Sequence, residues 1–221
     1  MERRGSARGL STPQNENAAS KIASFIVSGL EKIEAQSQSP DTIKLAQNIR
    51  LSGIARMKGE DHSYQPDNQF RHRYPFMPKY PGLVRWSQPW ADKEGLEKKL
   101  SDLLKVAGGM TQAVIGVHLR ESTPGTLKMF LYFWRLTTPH SSDKVAWDRV
   151  WDCVQIVPDD ERILRLTLDD FISPDTSAKY FPGADLDTEI LIPLGRVYQD
   201  AKYGFELWQR ENEEDEDEAR V

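Results

Sequence analysis

Residues 111–138, TQAVIGVHLRESTPGTLKMFLYFWRLTT, are the most apolar stretch of the chain, and their apolar positions alternate. Ile115, Val117 and Leu119 fall on one side, while Val114, Gly116 and His118 fall on the other, as in a strand. Pro124-Gly125 supplies a turn, because proline presets φ and glycine accepts a positive one. The returning strand places Leu127, Met129, Leu131 and Phe133 on one side and Phe130, Tyr132 and Trp134 on the other. Both faces are apolar. The hairpin is therefore either central and covered twice, or covered once with an aromatic face kept for a partner.

Helical spacing appears before it. Ile22, Phe25, Ile26, Leu30 and Ile33 recur on one face, with Gly29 costing about 1 kcal/mol of helix propensity relative to alanine. After a Ser-Gln-Ser-Pro break, Ser39 is an N-cap with Pro40 at the first helical position and Asp41 in the first turn. Ile43, Ala46, Ile49, Ile54 and Met57 predict a second helix, with Lys44, Arg50, Arg56 and Lys58 facing outward. Asp92 opens a third helix over 93–107 with Leu96, Leu100, Leu103, Leu104 and Ala107 as its stripe, and Gly108-Gly109 closes it.

Residues 59–91 interleave prolines with aromatic and basic residues, which predicts an extended arm. Arginine beside aromatic side chains also suits single-stranded nucleic acid. Arg71, Arg73, Tyr74, Arg85, Trp86 and Trp90, with Tyr132 and Trp134 of the hairpin, are the candidate binding residues. Beyond the hairpin, 145–157 fits helix or strand; its β-branched residues favour a strand over 150–157. Residues 163–169 alternate with Leu164, Leu166 and Leu168 inward. A polar loop over 173–188, a strand over 189–198 interrupted by Pro193, and a short strand over 205–208 complete the pattern.

The organisation expected is a disordered head (1–17), a helical hairpin (18–58), an extended arm (59–91), a core (92–208) and a disordered acidic tail (209–221). The fold class is α+β: a mainly antiparallel sheet of about five strands with a packed helix, preceded by the N-terminal helical hairpin.

Charge changes this picture more than composition does. The net charge of −5 is unevenly spread: residues 1–80 hold 12 basic and 8 acidic residues (+4), and residues 206–221 hold 8 acidic and 2 basic ones (−6). Such asymmetry suits self-association or electrostatic regulation. The basic N-terminal region could also meet nucleic acid or a membrane surface. The single cysteine, Cys153, excludes an intramolecular disulfide framework and a thiolate zinc cluster. No run reaches the ~18 apolar residues of a membrane-spanning helix. No secretory signal is evident at the N-terminus, and a cytoplasmic or nuclear location is expected.

Catalytic motifs for phosphate loops, dinucleotide binding, zinc hydrolysis, nucleophile elbows and dithiol redox chemistry do not occur. The histidines show no metal-ligand spacing, so neither metal nor cofactor is expected. Asp159-Asp160 and Asp169-Asp170 read as turn carboxylates, since neighbours on a strand face opposite ways. An unrecognised enzyme would have to use His118 with Asp169 or Asp170. The helix, Gly108-Gly109, then a strand with Val114-Ile115-Gly116, and the acidic C-terminus loosely resemble some rhabdovirus matrix proteins. The resemblance covers a minor part of the chain, which lacks the Pro-Pro-x-Tyr motif many of those proteins carry. It implies a self-associating structural protein. A non-enzymatic assembly or adaptor protein is thus the leading expectation, ahead of a nucleic-acid-binding regulator and an enzyme.

Overall fold

Two apolar faces on one hairpin require two covering layers, and the architecture follows from that requirement. The computed structural model describes residues 13–52, 57–58, 63–64, 66, 68–72, 81–89, 93–123, 125–137 and 146–218. Expectations for Ile54, Arg56, Arg73, Tyr74, Trp90, Asp92, Pro124 and most of the head fall outside them.

The expected hairpin is β6 (Ala113–Thr123) and β7 (Thr126–Leu136), with Ile115 opposite Phe133 and Val117 opposite Leu131. The sheet around it has six strands rather than about five, in the order β1-β4-β5-β6-β7-β8. β1 is Ile49–Leu51, β4 Asn68–His72, β5 Leu83–Pro89 and β8 Trp147–Ile156. The sheet is mixed: β5 and β6 run parallel, and the other neighbours antiparallel. A parallel pair needs a crossover, and α3 (Lys93–Ala107) provides it.

The extended arm is therefore corrected in its described parts. It supplies β4 and β5, together with β3 (Ser63–Tyr64), which pairs with β2 (Met57–Lys58). Its described prolines allow this, because Pro66 lies between β3 and β4, Pro81 precedes β5 and Pro89 is that strand's last residue. The second helix is corrected too. After α1 (Pro13–Gln36), α2 spans Pro40–Asn48, Ser39 Oγ accepts from Thr42 N as expected, and Ile49 turns extended to pair with His72.

One face of the sheet packs against α1 through Ile22, Ile26, Leu30 and Ile33. The same layer holds the hairpin of β9 (Ile163–Thr167) and β10 (Glu189–Pro193), and α5 (Leu194–Glu218). On the other face α3 lies on Val84, Val114, Tyr132 and Trp134, burying its whole predicted leucine stripe. Gly116 sets how closely α3 approaches, since a Cβ there would stand 2.7 Å from Leu100 Cδ1.

The C-terminal third departs furthest from the sequence reading. The predicted polar loop contains α4 (Pro174–Tyr180), with Ser173 as N-cap. Pro193 ends β10, and the chain passes directly into α5, which takes in the strand expected over 205–208. Leu194, Val197, Tyr198, Ala201 and Phe205 form its buried stripe at helical spacing. α5 continues through most of the acidic run to Glu218. β8 is a strand, but its register shifts twice, leaving Asp152 and Cys153 together opposite Tyr132. Cys153 has φ 55°, the only non-glycine positive φ among the described residues.

Gly29 tests the packing against intrinsic propensity. A Cβ there would come 2.6 Å from Cγ2 of Ile190, a β-branched residue buried in β10. Gly29→Ala should therefore lower the melting temperature, with overpacking of about 1–3 kcal/mol outweighing the roughly 1 kcal/mol of helix propensity gained. A rise in melting temperature would contradict this packing of α1 on β10.

Candidate functional site

The residues expected to bind nucleic acid do not form an open platform. Trp86, Gly116 and Tyr132 stand in line across β5, β6 and β7, but α3 covers this line. Tyr132 and Trp134 are 0% and 2% exposed, which corrects their reading as an aromatic face kept for a partner. Burial, then the Cys153 thiol beside it, pushes the Tyr132 hydroxyl pKa up. The Arg149 guanidinium lies 4.7 Å from the Trp134 ring centroid, and the Lys99 ammonium 5.6 Å from that of Trp86. Arg85 is fully buried and, one residue before Trp86, points to the opposite face of the sheet. Arg71 donates to Gln69 Oε1 at 3.0 and 2.6 Å, and burial lowers its pKa. Thus the structure brings Trp86, Tyr132 and Trp134 into one core cluster beneath α3, with Arg85 on the opposite face of the sheet.

The enzyme constellation is also dispersed. Asp170 is bound to Arg135, which pairs with Ala113 at the start of β6 and points to the face carrying Leu131 and Phe133. His118 lies five residues further along β6 and points to the other face, against the Phe130 ring. Among the described residues no cluster could hold a metal ion.

What the buried charges do instead is join elements. Arg135 Nε and Nη2 donate to Asp170 Oδ1 and Oδ2, both at 2.7 Å, and Nη2 also donates to the Arg165 carbonyl at 3.0 Å. Asp170 accepts from Thr167 N as well, capping the 3-10 turn over Leu168–Phe171. Burial alone would lower the Arg135 pKa, but its bonds to Asp170 outweigh that and raise it. Asp169, next to this pair, has its carboxyl pushed up by burial and by Asp170. At the far end of β9, Asp160 pairs with Arg162 and accepts from the Val157 and Arg162 amides. Both aspartate pairs thus contribute a turn carboxylate, as the sequence indicated. The sequence reading passed over Arg135; a lone arginine at the end of an apolar strand was the available signal.

His72, in β4, lies under the 3-10 turn. Its Nε2 donates to the Phe171 carbonyl at 3.0 Å, and Nδ1 has no hydrogen-bond partner among the described residues. Desolvation lowers its pKa, against the opposing effect of the Phe171 bond.

The densest run of like charge in the sequence falls on α5. Its last described core contacts are Phe205 and a hydrogen bond of 3.4 Å from Gln209 to Glu121, and the helix then runs on to Glu218. Residues 210–218 carry seven acids and Arg210, a net −6. Positions 211 and 215, 213 and 217, and 214 and 218 are like-charged and one turn apart, each pair destabilising the helix by about 0.2–0.5 kcal/mol. The acids also sit at the negative end of the helix dipole. Without a counter-charge this helix end works against its own electrostatics.

Comparison with known proteins returns no match: no family model fits the chain, and no curated protein or solved structure is significantly similar to it. The likeness to rhabdovirus matrix proteins rests on the sequence alone. No described helix is long and apolar enough to cross a membrane.

Arg135→Ala would leave the Asp170 carboxylate, 4% exposed, without its cation, and should cost about 3 kcal/mol in denaturant unfolding. A loss within experimental error would show that the joint contributes nothing. His72 gives a pH signature. Its folded pKa lies below the unfolded value of 6.5, so the unfolded chain binds more protons as pH falls past that point. The His72 contribution to stability is complete above 6.5 and is lost as pH drops through the folded pKa. His72→Gln should flatten this part of a stability–pH profile between pH 7.5 and 5; superimposable profiles would rule His72 out as the source.

Proposed function

We propose that this protein is a non-enzymatic assembly or adaptor protein that acts through charge displayed beyond its folded core. The observation that carries the reading is the acidic extension of α5 past its last described core contacts. A helical extension of like charge attached to a packed domain suits capture of a basic protein surface, including one on a second copy of the chain. The charge balance supports self-association, because residues 1–80 are net +4 and residues 206–221 net −6. In the described core, ion pairs such as Arg135–Asp170 and Arg162–Asp160 are engaged in holding turns and strands together. Nucleic-acid binding is the weaker reading, since Tyr132 and Trp134 are covered and Arg71 is engaged with Gln69.

Size-exclusion chromatography with light scattering, run over a protein concentration series at low and high salt, tests this. The expected result is an oligomer that dissociates in high salt and is lost when residues 211–221 are removed. A monomer at every concentration would refute self-association. Co-eluting nucleic acid, seen in the ratio of absorbance at 260 to 280 nm and stripped by salt, would favour the second reading instead.

A further inference from the structure

A buried hydroxyl and a rare backbone conformation meet where β8 runs beside β7. Between the pairs Leu131–Val154 and Phe133–Trp151 the register shifts, and two residues, Asp152 and Cys153, stand opposite Tyr132. Cys153 takes φ 55°, a region that residues with a Cβ seldom occupy. Asp152 is exposed, whereas Cys153 packs against the cluster beneath α3 that contains Tyr132. Tyr132 is fully buried, and its hydroxyl finds no nitrogen or oxygen partner among the described residues. A buried hydroxyl usually has one. The group beside it is the Cys153 thiol, and a thiol sulfur is only a weak acceptor. Two carboxylates lie near, Asp152 and Glu97, and they pair with the Arg149 guanidinium at 3.2 and 3.9 Å, so neither is a bare charge. The thiol itself is half-buried on an outer strand, where a small solute can reach it.

We propose that Cys153 is a peroxide-reactive site, at which the thiol becomes a sulfenic acid whose oxygen accepts a hydrogen bond from the Tyr132 hydroxyl. The sulfur, as thiolate, attacks one oxygen of hydrogen peroxide. An S–O bond forms, the O–O bond breaks, and the departing hydroxide takes up the thiol proton and leaves as water. Sulfur loses two electrons and the peroxide gains them. The added oxygen is the acceptor that Tyr132 lacks in the reduced chain. The register shift has a role in this, because it brings a second residue of β8 to the position opposite Tyr132. With one cysteine the chain holds no second thiol to condense with the product. The sulfenic acid therefore lasts as long as its surroundings protect it, and Tyr132 is placed to do so. A low-molecular-weight thiol reverses the change. It first forms a mixed disulfide with loss of water, and a second thiol then displaces Cys153 and leaves as the small disulfide.

The test is a pulse of hydrogen peroxide on the dilute full chain, quenched with catalase, followed by dimedone added after increasing delays and by peptide mass mapping. Dimedone should mark Cys153 of the folded protein, and the reactive form should persist several-fold longer than in Tyr132→Phe, which should pass faster to the sulfinic acid. Tyr132→Phe removes only a hydroxyl, and circular dichroism checks that it folds. The unmodified chain unfolded in guanidinium chloride gives a second comparison that needs no variant: its sulfenic acid should also disappear several-fold faster than that of the folded chain. No dimedone on Cys153 of the folded protein would overturn the proposal. So would equal persistence in the folded and unfolded chains, or in the protein and a folded Tyr132→Phe.

Discussion

The structure depends on the β6–β7 hairpin being apolar on both faces. A side chain such as Phe133 or Tyr132 stabilises the fold by about 2–3 kcal/mol only if something removes it from water. One covering layer would leave the other face exposed. The chain meets this by placing α3 over Val114, Tyr132 and Trp134, and by layering α1, α5 and the β9–β10 hairpin over the opposite side. The parallel β5–β6 pair is a consequence, because a helix that covers the sheet between two strands returns the chain in the same direction. Gly116 and Gly29 are small for a related reason: each sits where a covering element comes within contact of its neighbour.

The same economy governs charge. Several polar groups in the interior are tied to a second element, as in Arg135 to Asp170, His72 to the Phe171 carbonyl and Tyr198 to the Leu127 carbonyl. The outer strand β8 is guarded in a different way. Its two register shifts, the positive φ at Cys153 and the charges of Asp148, Arg149 and Asp152 spoil it as a template for another strand.

Local periodicity made part of this legible. The faces of β6 and β7, the stripe of α3, the inward leucines of β9 and the Ser39 cap all depend on neighbours within a few residues, and all appear in the structure as read. β1, β4 and β5 were hidden because their partners lie elsewhere in the chain, and because prolines at strand ends look, in sequence, like prolines that forbid strands. α5 was hidden by Pro193: read as a flaw within a strand, it is the last residue before a helix whose stripe is plain once Leu194 is taken as the start. The mistaken aromatic platform has a related origin. Alternation correctly grouped Tyr132 with Trp134, but their cover comes from Leu100 and Leu104, and no pattern within the hairpin reveals it.

The seating of α1 against β10 and α5 also bears on the order in which the chain comes together. α1 meets α2 and β1 soon after it is made, but β10 and α5 only after the strands and helices between them have been made. Until then the cover of Ile22, Ile26, Leu30 and Ile33 is incomplete, although the α3 crossover and the β6–β7 hairpin can form from residues close together in sequence. Contacts so distant along the chain slow folding, and an uncovered apolar stripe during that interval invites misassembly. α1 is thus made well before the elements that complete its cover, and its apolar stripe stays partly open until β10 and α5 follow.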